Sequence, residues 1–140
     1  LPIVAGGRPT ELFKGYQKDE KTVILPDTFV LAIDEKFVYF SAGHIYRVPK
    51  AVGEAEQITA GKPTEMVVDE ENIYWHDYVG EGMPDAPVFA VNKNGGERKV
   101  VVEAGKILDI AVDKDFFYWA QPDGIYKQPK NGGEKTRLIA

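Results

Sequence analysis

Apolar and polar residues alternate over short runs along this chain, and no stretch repeats its apolar positions at helical spacing. Alternation turns one side of an extended segment toward a core and the other toward water, so it predicts half-buried strands, here four to seven residues long. The strands come in sets. Ala32-Ile-Asp-Glu-Lys-Phe-Val-Tyr-Phe40 is followed by His44-Ile-Tyr-Arg-Val-Pro-Lys50. Val67-Val-Asp-Glu-Glu-Asn-Ile-Tyr-Trp75 is followed by Val88-Phe-Ala-Val-Asn-Lys93, and Ala111-Val-Asp-Lys-Asp-Phe-Phe-Tyr-Trp119 by Gly124-Ile-Tyr-Lys-Gln-Pro-Lys130. Asp34, Asp69 and Asp113 correspond, as do Tyr39, Tyr74 and Tyr118. The aspartates stand 35 and 44 residues apart and the lysines 43 and 37, so one loop between the aromatic pair and the lysine changes length while the frame holds.

After each lysine the alignment runs without gaps into a short apolar strand around Ile58, Val101 and Leu138. Asn94-Gly95 and Asn131-Gly132 are two-residue hairpin signals, and they predict type I′ turns, which need positive φ at both central positions. Each unit therefore reads as four strands: an inner apolar one, an aromatic one, a third that ends in lysine, and an outer one. Four strands in a repeat of about 40 residues is the pattern of a β-propeller blade. A β-sandwich could be built from the same hairpins, but copies of one unit kept in frame favour the propeller. The expected organisation is all-β: a partial blade over 1–28, then blades over 29–60, 61–103 and 104–140.

Composition changes this picture little. The net charge of −5, with Lys and Arg scattered, argues against a nucleic-acid partner. No apolar run approaches the roughly 20 residues of a membrane span. With no cysteine, disulfides, thiol nucleophiles and thiolate metal sites are excluded. A first residue Leu1 in place of Met is expected of a processed, trimmed or longer chain.

The pattern I-A-V-D-x-x-x-x-Y-W followed by I-Y-K-x-P-K-x-G-G, carried by Ile110–Trp119 and Ile125–Gly133, resembles the NHL- and YWTD-type propellers. It is most similar to bacterial repeat proteins in which VYW and VPKxGG alternate. The resemblance covers residues 29–140 and is specific for fold rather than activity. It implies a binding module for a protein, peptide or glycan. A minority of such proteins are lyases or hydrolases, and some repeats are structural parts of larger surface proteins. An extracytoplasmic or cell-surface location is the implied setting.

The N-terminal piece stays open. Glu20-Lys-Thr-Val-Ile-Leu25 matches Glu134-Lys-Thr-Arg-Leu-Ile139 and reads as an outer strand. Residues 5–12 match 60–66 as an outer-to-inner crossing, whereas Leu12-Phe-Lys14 matches Ile125-Tyr-Lys127 as a third strand. Propellers close with about 4–8 blades, which protects sheet edges. A second copy or a companion chain is therefore expected to complete a ring of six to eight blades, a C2 dimer being the simplest solution.

Function is expected where outer-to-inner crossings (26–28, 61–64, 105–106) share a face with the loops between second and third strands (41–44, 76–87, 121–124). The 76–87 loop is the longest of its set. The candidate ligand-binding residues are His44, Trp75, His76, Asp77, Tyr78, Glu81, Asp85, Trp119, Gln121 and Asp123. The carboxylates of the long loop could offer oxygen ligands to Ca²⁺, but without EF-hand spacing, so no cofactor is assigned. His44 and His76 are the available general acid–base groups, yet no serine stands in a G-x-S-x-G motif, so no catalytic residue is assigned. Asp34, Asp69 and Asp113 are expected to cap their own turns, and the lysines of the Pro-Lys turns, Lys50 and Lys130, to be solvated.

Overall fold

The structure is a computed structural model and describes residues 16–19, 22–24, 30–82, 84–103 and 105–139. Among them there is no helix, hence none long and apolar enough to cross a membrane. The chain is all-β. The open alternatives for residues 1–15 and the expected crossing at 26–28 lie outside the described residues.

The elements follow the period-2 pattern. Strands β1 (Tyr16–Asp19) and β2 (Thr22–Ile24) pair as an antiparallel hairpin, with β2 inside the expected outer strand. Three four-stranded antiparallel sheets come next, each meandering in chain order. The first holds β3 (Leu31–Ile33), β4 (Phe37–Ser41), β5 (His44–Pro49) and β6 (Glu56–Ala60). The second holds β7 (Pro63–Val68), β8 (Asn72–Asp77), β9 (Val88–Asn92) and β10 (Lys99–Val102). The third holds β11 (Asp109–Val112), β12 (Phe116–Gln121), β13 (Gly124–Pro129) and β14 (Thr136–Ile139).

Register makes the sheets comparable position by position. Ser41 faces Ile45, His76 faces Val88 and Ala120 faces Ile125 across the central strand pairs. The turn type differs from the expectation. Gly95 N–H bonds Asn92 C=O, which makes Lys93 and Asn94 the central residues, and among the described residues none other than glycine has positive φ. The positive φ falls on Gly95 and Gly96 (92° and 116°), and on Gly132 and Gly133 in the third sheet (91° and 136°). The Gly-Gly pair, rather than the asparagine, thus takes the left-handed conformations, and the hairpins are not type I′.

Strand β7 packs against both β3 and β11, so the second sheet lies between the other two. Alternation sends its residues to both sides. Met66, Ile73, Trp75 and Val91 join Tyr39, Ile45 and Ile58 of the first sheet in one core. Tyr74, Val88, Ala90 and Val102 join Ile110, Phe117, Trp119 and Tyr126 of the third sheet in another. Tyr39 and Tyr74 point toward the sheet that follows theirs, and Trp75 and Trp119 toward the sheet that precedes theirs.

Candidate functional site

The described loops among those singled out by sequence gather at one end of the sheets, and the 76–87 loop is fastened there by its base. Asp77 Oδ1 accepts the Lys62 backbone N–H at 2.7 Å and the Trp75 indole N–H at 2.9 Å. Tyr78 N–H returns a bond to Lys62 C=O at 2.8 Å. His76 Nε2 donates to Ala86 C=O at 3.1 Å, which ties the start of the loop to its end, and its Nδ1 lies 3.4 Å from Thr64 Oγ1. Beyond this base, Tyr78, Glu81 and Asp85 are exposed, and neither Glu81 nor Asp85 has an ion-pair partner among the described residues. The backbone turns at Gly80 and Gly82, with φ of 83° and 76°. Met83 lies outside the described residues.

The other candidates are placed differently. His44 is exposed on the first sheet, with Nδ1 2.6 Å from Gly43 C=O. His44 and His76 are thus held in separate local contacts on different sheets. Trp75 is fully buried between the first and second sheets, and Trp119 is buried against Tyr126 and Phe117. Neither indole reaches a surface where a ligand would meet it. Asp123 is bonded by Tyr126 Oη at 2.6 Å. That bond holds its carboxyl below the usual range. Gln121 lies over Gly105, where a Cβ would stand 2.5 Å from its amide nitrogen. Among the described residues no group of three or more His, Asp or Glu side chains is placed to hold a metal ion.

The opposite end carries chemistry that the sequence reading assigned only in part. Asp34 Oδ1 accepts the backbone N–H of Lys36 and Phe37, both at 2.8 Å, as a turn-capping aspartate should. Its Oδ2 accepts Tyr39 Oη at 2.7 Å and Lys93 Nζ, from the next sheet, at 2.6 Å. Asp69 repeats this: Glu71 and Asn72 N–H at 2.9 and 2.7 Å, Tyr74 Oη at 2.9 Å, and Lys130 Nζ at 2.6 Å. The two ammonium groups also sit 5.5 and 5.8 Å from the centres of the Tyr39 and Tyr74 rings. Lys130 is therefore not solvated as expected, and Lys93 is shielded in the same way. Their stems run along apolar surface and their charges are neutralised across a sheet junction, whereas Lys50 is exposed.

Burial raises the cost of ionising Asp34, but Lys93, Tyr39 and the turn N–H groups outweigh it, so its carboxyl is held below the usual range. Asp69 is lowered in the same way, with Lys130 as the main partner opposing burial. Burial, and then the adjacent Asp69 carboxylate, push the Tyr74 hydroxyl up to about 12. These groups stay in one charge state around neutral pH, and they serve as fasteners rather than proton carriers.

Around them opens a cleft of about 1350 Å³, bounded by Ile33, Val68 and Val112 at the ends of the first strand of each sheet and by the turns at 34–36, 69–71 and 113–115. Its rim carries both signs of charge, with Glu35, Glu70, Glu71 and Asp115 beside Lys36 and Lys114. The recurrence of Asp and Tyr five residues apart, with a lysine after the third strand of each unit, was the available signal for this end. No protein-family model and no curated protein matches the chain.

Proposed function

We propose that the three sheets are blades of a β-propeller and that this segment is a non-catalytic binding module, its ligand a protein, peptide or glycan held on the face that bears the 76–87 loop. The observation that carries the reading is the division of labour in that loop. Asp77 and His76 fix its base, while Tyr78, Glu81 and Asp85 remain exposed and uncommitted to the fold. A loop pinned in this way loses less conformational entropy on binding than a free one. One exposed aromatic and two carboxylates suit a polar or cationic partner surface. The propeller arrangement is supported by β7 lying between β3 and β11, as neighbouring inner strands do around an axis. A second copy or a companion chain would complete the ring.

The competing reading is a propeller-type lyase or hydrolase using His44 and His76. It is disfavoured by the separate placement of the two rings and by the carbonyl already bound to His76 Nε2. Peptide and glycan arrays probed with the wild-type chain, and with a chain whose residues 79–85 are replaced by a short Gly-Ser bridge, test the assignment. Binding should be lost or weakened at least tenfold while folding is retained, because loop length costs little in closure entropy. Unchanged affinity of the shortened chain for every array ligand would refute the loop site. A substrate turned over by the wild type but not by His44→Ala/His76→Ala would favour the enzyme.

A further inference from the structure

The outward flank of the third sheet repeats the flank by which the first sheet holds the second. Phe37 and Tyr39 stand 6.2 Å apart at 55°, and Phe116 and Tyr118 stand 6.2 Å apart at 51°. The Arg47 guanidinium lies 4.6 Å from the centre of the Phe37 ring, and Lys127 Nζ lies 4.5 Å from that of Phe116. Asp113 Oδ1 caps its turn on Asp115 and Phe116 N–H at 2.9 and 2.8 Å, and its Oδ2 accepts Tyr118 Oη at 2.7 Å. The flanks differ in occupancy. On the first sheet, Lys93 enters beside Asp34 and Tyr39, and Arg47 donates to Lys93 C=O and Asn94 Oδ1, both at 3.0 Å. On the third sheet no lysine of a following sheet reaches Asp113 Oδ2 among the described residues.

The apolar positions agree. Ile45 and Val88 are fully buried by the sheet that follows each, whereas Ile125, at the same register, is 43% exposed. Val102 is buried across from Val88, whereas Ile139, across from Ile125, is 58% exposed.

We propose that this flank is a docking surface for a further four-stranded antiparallel sheet of the second sheet's kind. Its lysine, at the end of the third strand, pairs with Asp113, and the turn that follows offers oxygen acceptors to Lys127. The kind is specified by Lys127. The second sheet carries Ala90 at the position of Arg47 and Lys127 and so makes no such bond to its neighbour, while the third sheet matches the first. The first sheet of another copy does not fit as the occupant. Its corresponding face, with Phe40, Ala42 and Val48, is already buried. The inference deepens the propeller reading but stands on the two observed sheet junctions, and none of its readouts involves the 76–87 loop.

The test extends the full chain after Ala140 with a copy of residues 61–103. In sequence Ala140 follows Ile139 as Ala60 follows Thr59, so the copy joins at the frame of the first junction. The extended chain should melt in one cooperative transition, with Tm raised by about 5 °C or more. Converting the copied lysine to Met, or Ile125→Glu, should remove most of that gain. Ile125→Glu should shift the unextended chain by no more than about 2 °C, since the side chain is already half exposed. A copy that melts separately, an unchanged Tm, or a gain insensitive to both substitutions would overturn the proposal. So would an unextended dimer, seen by light scattering, that Ile125→Glu dissociates, because the flank would then belong to a second copy.

Discussion

Lys93 lies 59 positions from Asp34 in the chain, yet its ammonium sits 2.6 Å from Asp34 Oδ2 and closes the junction between two sheets. Both side chains are largely shielded, with 11% and 23% of their surface exposed. Removing one partner leaves the other charge shielded and incompletely satisfied. Lys93→Met should therefore cost about 2–3 kcal/mol, the range of a charged hydrogen bond with its desolvation penalty. Lys50→Met, at the equivalent but exposed position, should fall within about 0.5 kcal/mol of wild type. Urea denaturation of the two variants checks this, and equal losses would contradict it.

The junction aspartates set the acid limb of stability. Asp34 and Asp69 are held below their ordinary values in the folded chain, so the unfolded chain takes up their protons first as pH falls. Their contribution is complete above the unfolded carboxylate value of about 4 and is lost as pH drops through the lower folded values. Melting curves between about pH 5 and 2 should fall steeply for the wild type and less steeply for Asp69→Asn.

Glu65 on β7 gives the opposite slope. Burial, and then the neighbouring Asp109 of β11, push its carboxyl up to about 7, against a bond from Ile110 N–H that favours the charged form. The folded chain therefore binds a proton that the unfolded chain has released. This contribution is complete below the ordinary glutamate value of 4.5 and disappears as pH rises through about 7. Glu65→Gln should match the wild type near pH 5 and exceed it in Tm near pH 8. A parallel pair of pH–Tm curves would exclude a carboxyl–carboxylate contact between these strands.

Trp119 Nε1 is buried without a hydrogen-bond partner among the described residues, whereas Trp75, at the equivalent position, donates to Asp77. Gln121 stands where Asp77 stands, two residues after the indole, and leaves Nε1 unsatisfied. Gln121→Asp should supply the missing acceptor and stabilise the chain by about 1 kcal/mol. Calorimetry on the single variant checks this, with no gain as the adverse result.

Half of each fastening set is legible in the sequence. Asp and Tyr lie five residues apart within one unit, and the turn-capping role of Asp34, Asp69 and Asp113 follows from their place after an inner strand. The lysine's role is not legible, because a repeat shows which residues are equivalent without showing which ones cross to the neighbouring unit. The same limit hid the fate of Trp75 and Trp119. Alternation says that one ring of each Tyr-aromatic pair meets a neighbour without saying which, and here the tryptophan of each pair is the ring that packs on the preceding sheet. Asn94-Gly95 misled for a local reason: Gly96 supplies a second glycine, which moves the positive φ past the asparagine.

The central claim is that each junction is closed by the lysine of one sheet on the aspartate of the sheet before it. Double-mutant cycles in urea test it most directly, using Asp34→Asn with Lys93→Met and Asp69→Asn with Lys130→Met as matched pairs. Asp34→Asn with Lys130→Met serves as the mismatched control. Asparagine keeps an oxygen for the turn N–H groups, so the cycle reports chiefly the bond to lysine. The account predicts a coupling of about 1 kcal/mol or more in both matched cycles and a value within about 0.5 kcal/mol of zero in the control. Equal couplings in all three cycles, or additivity in the matched ones, would contradict it.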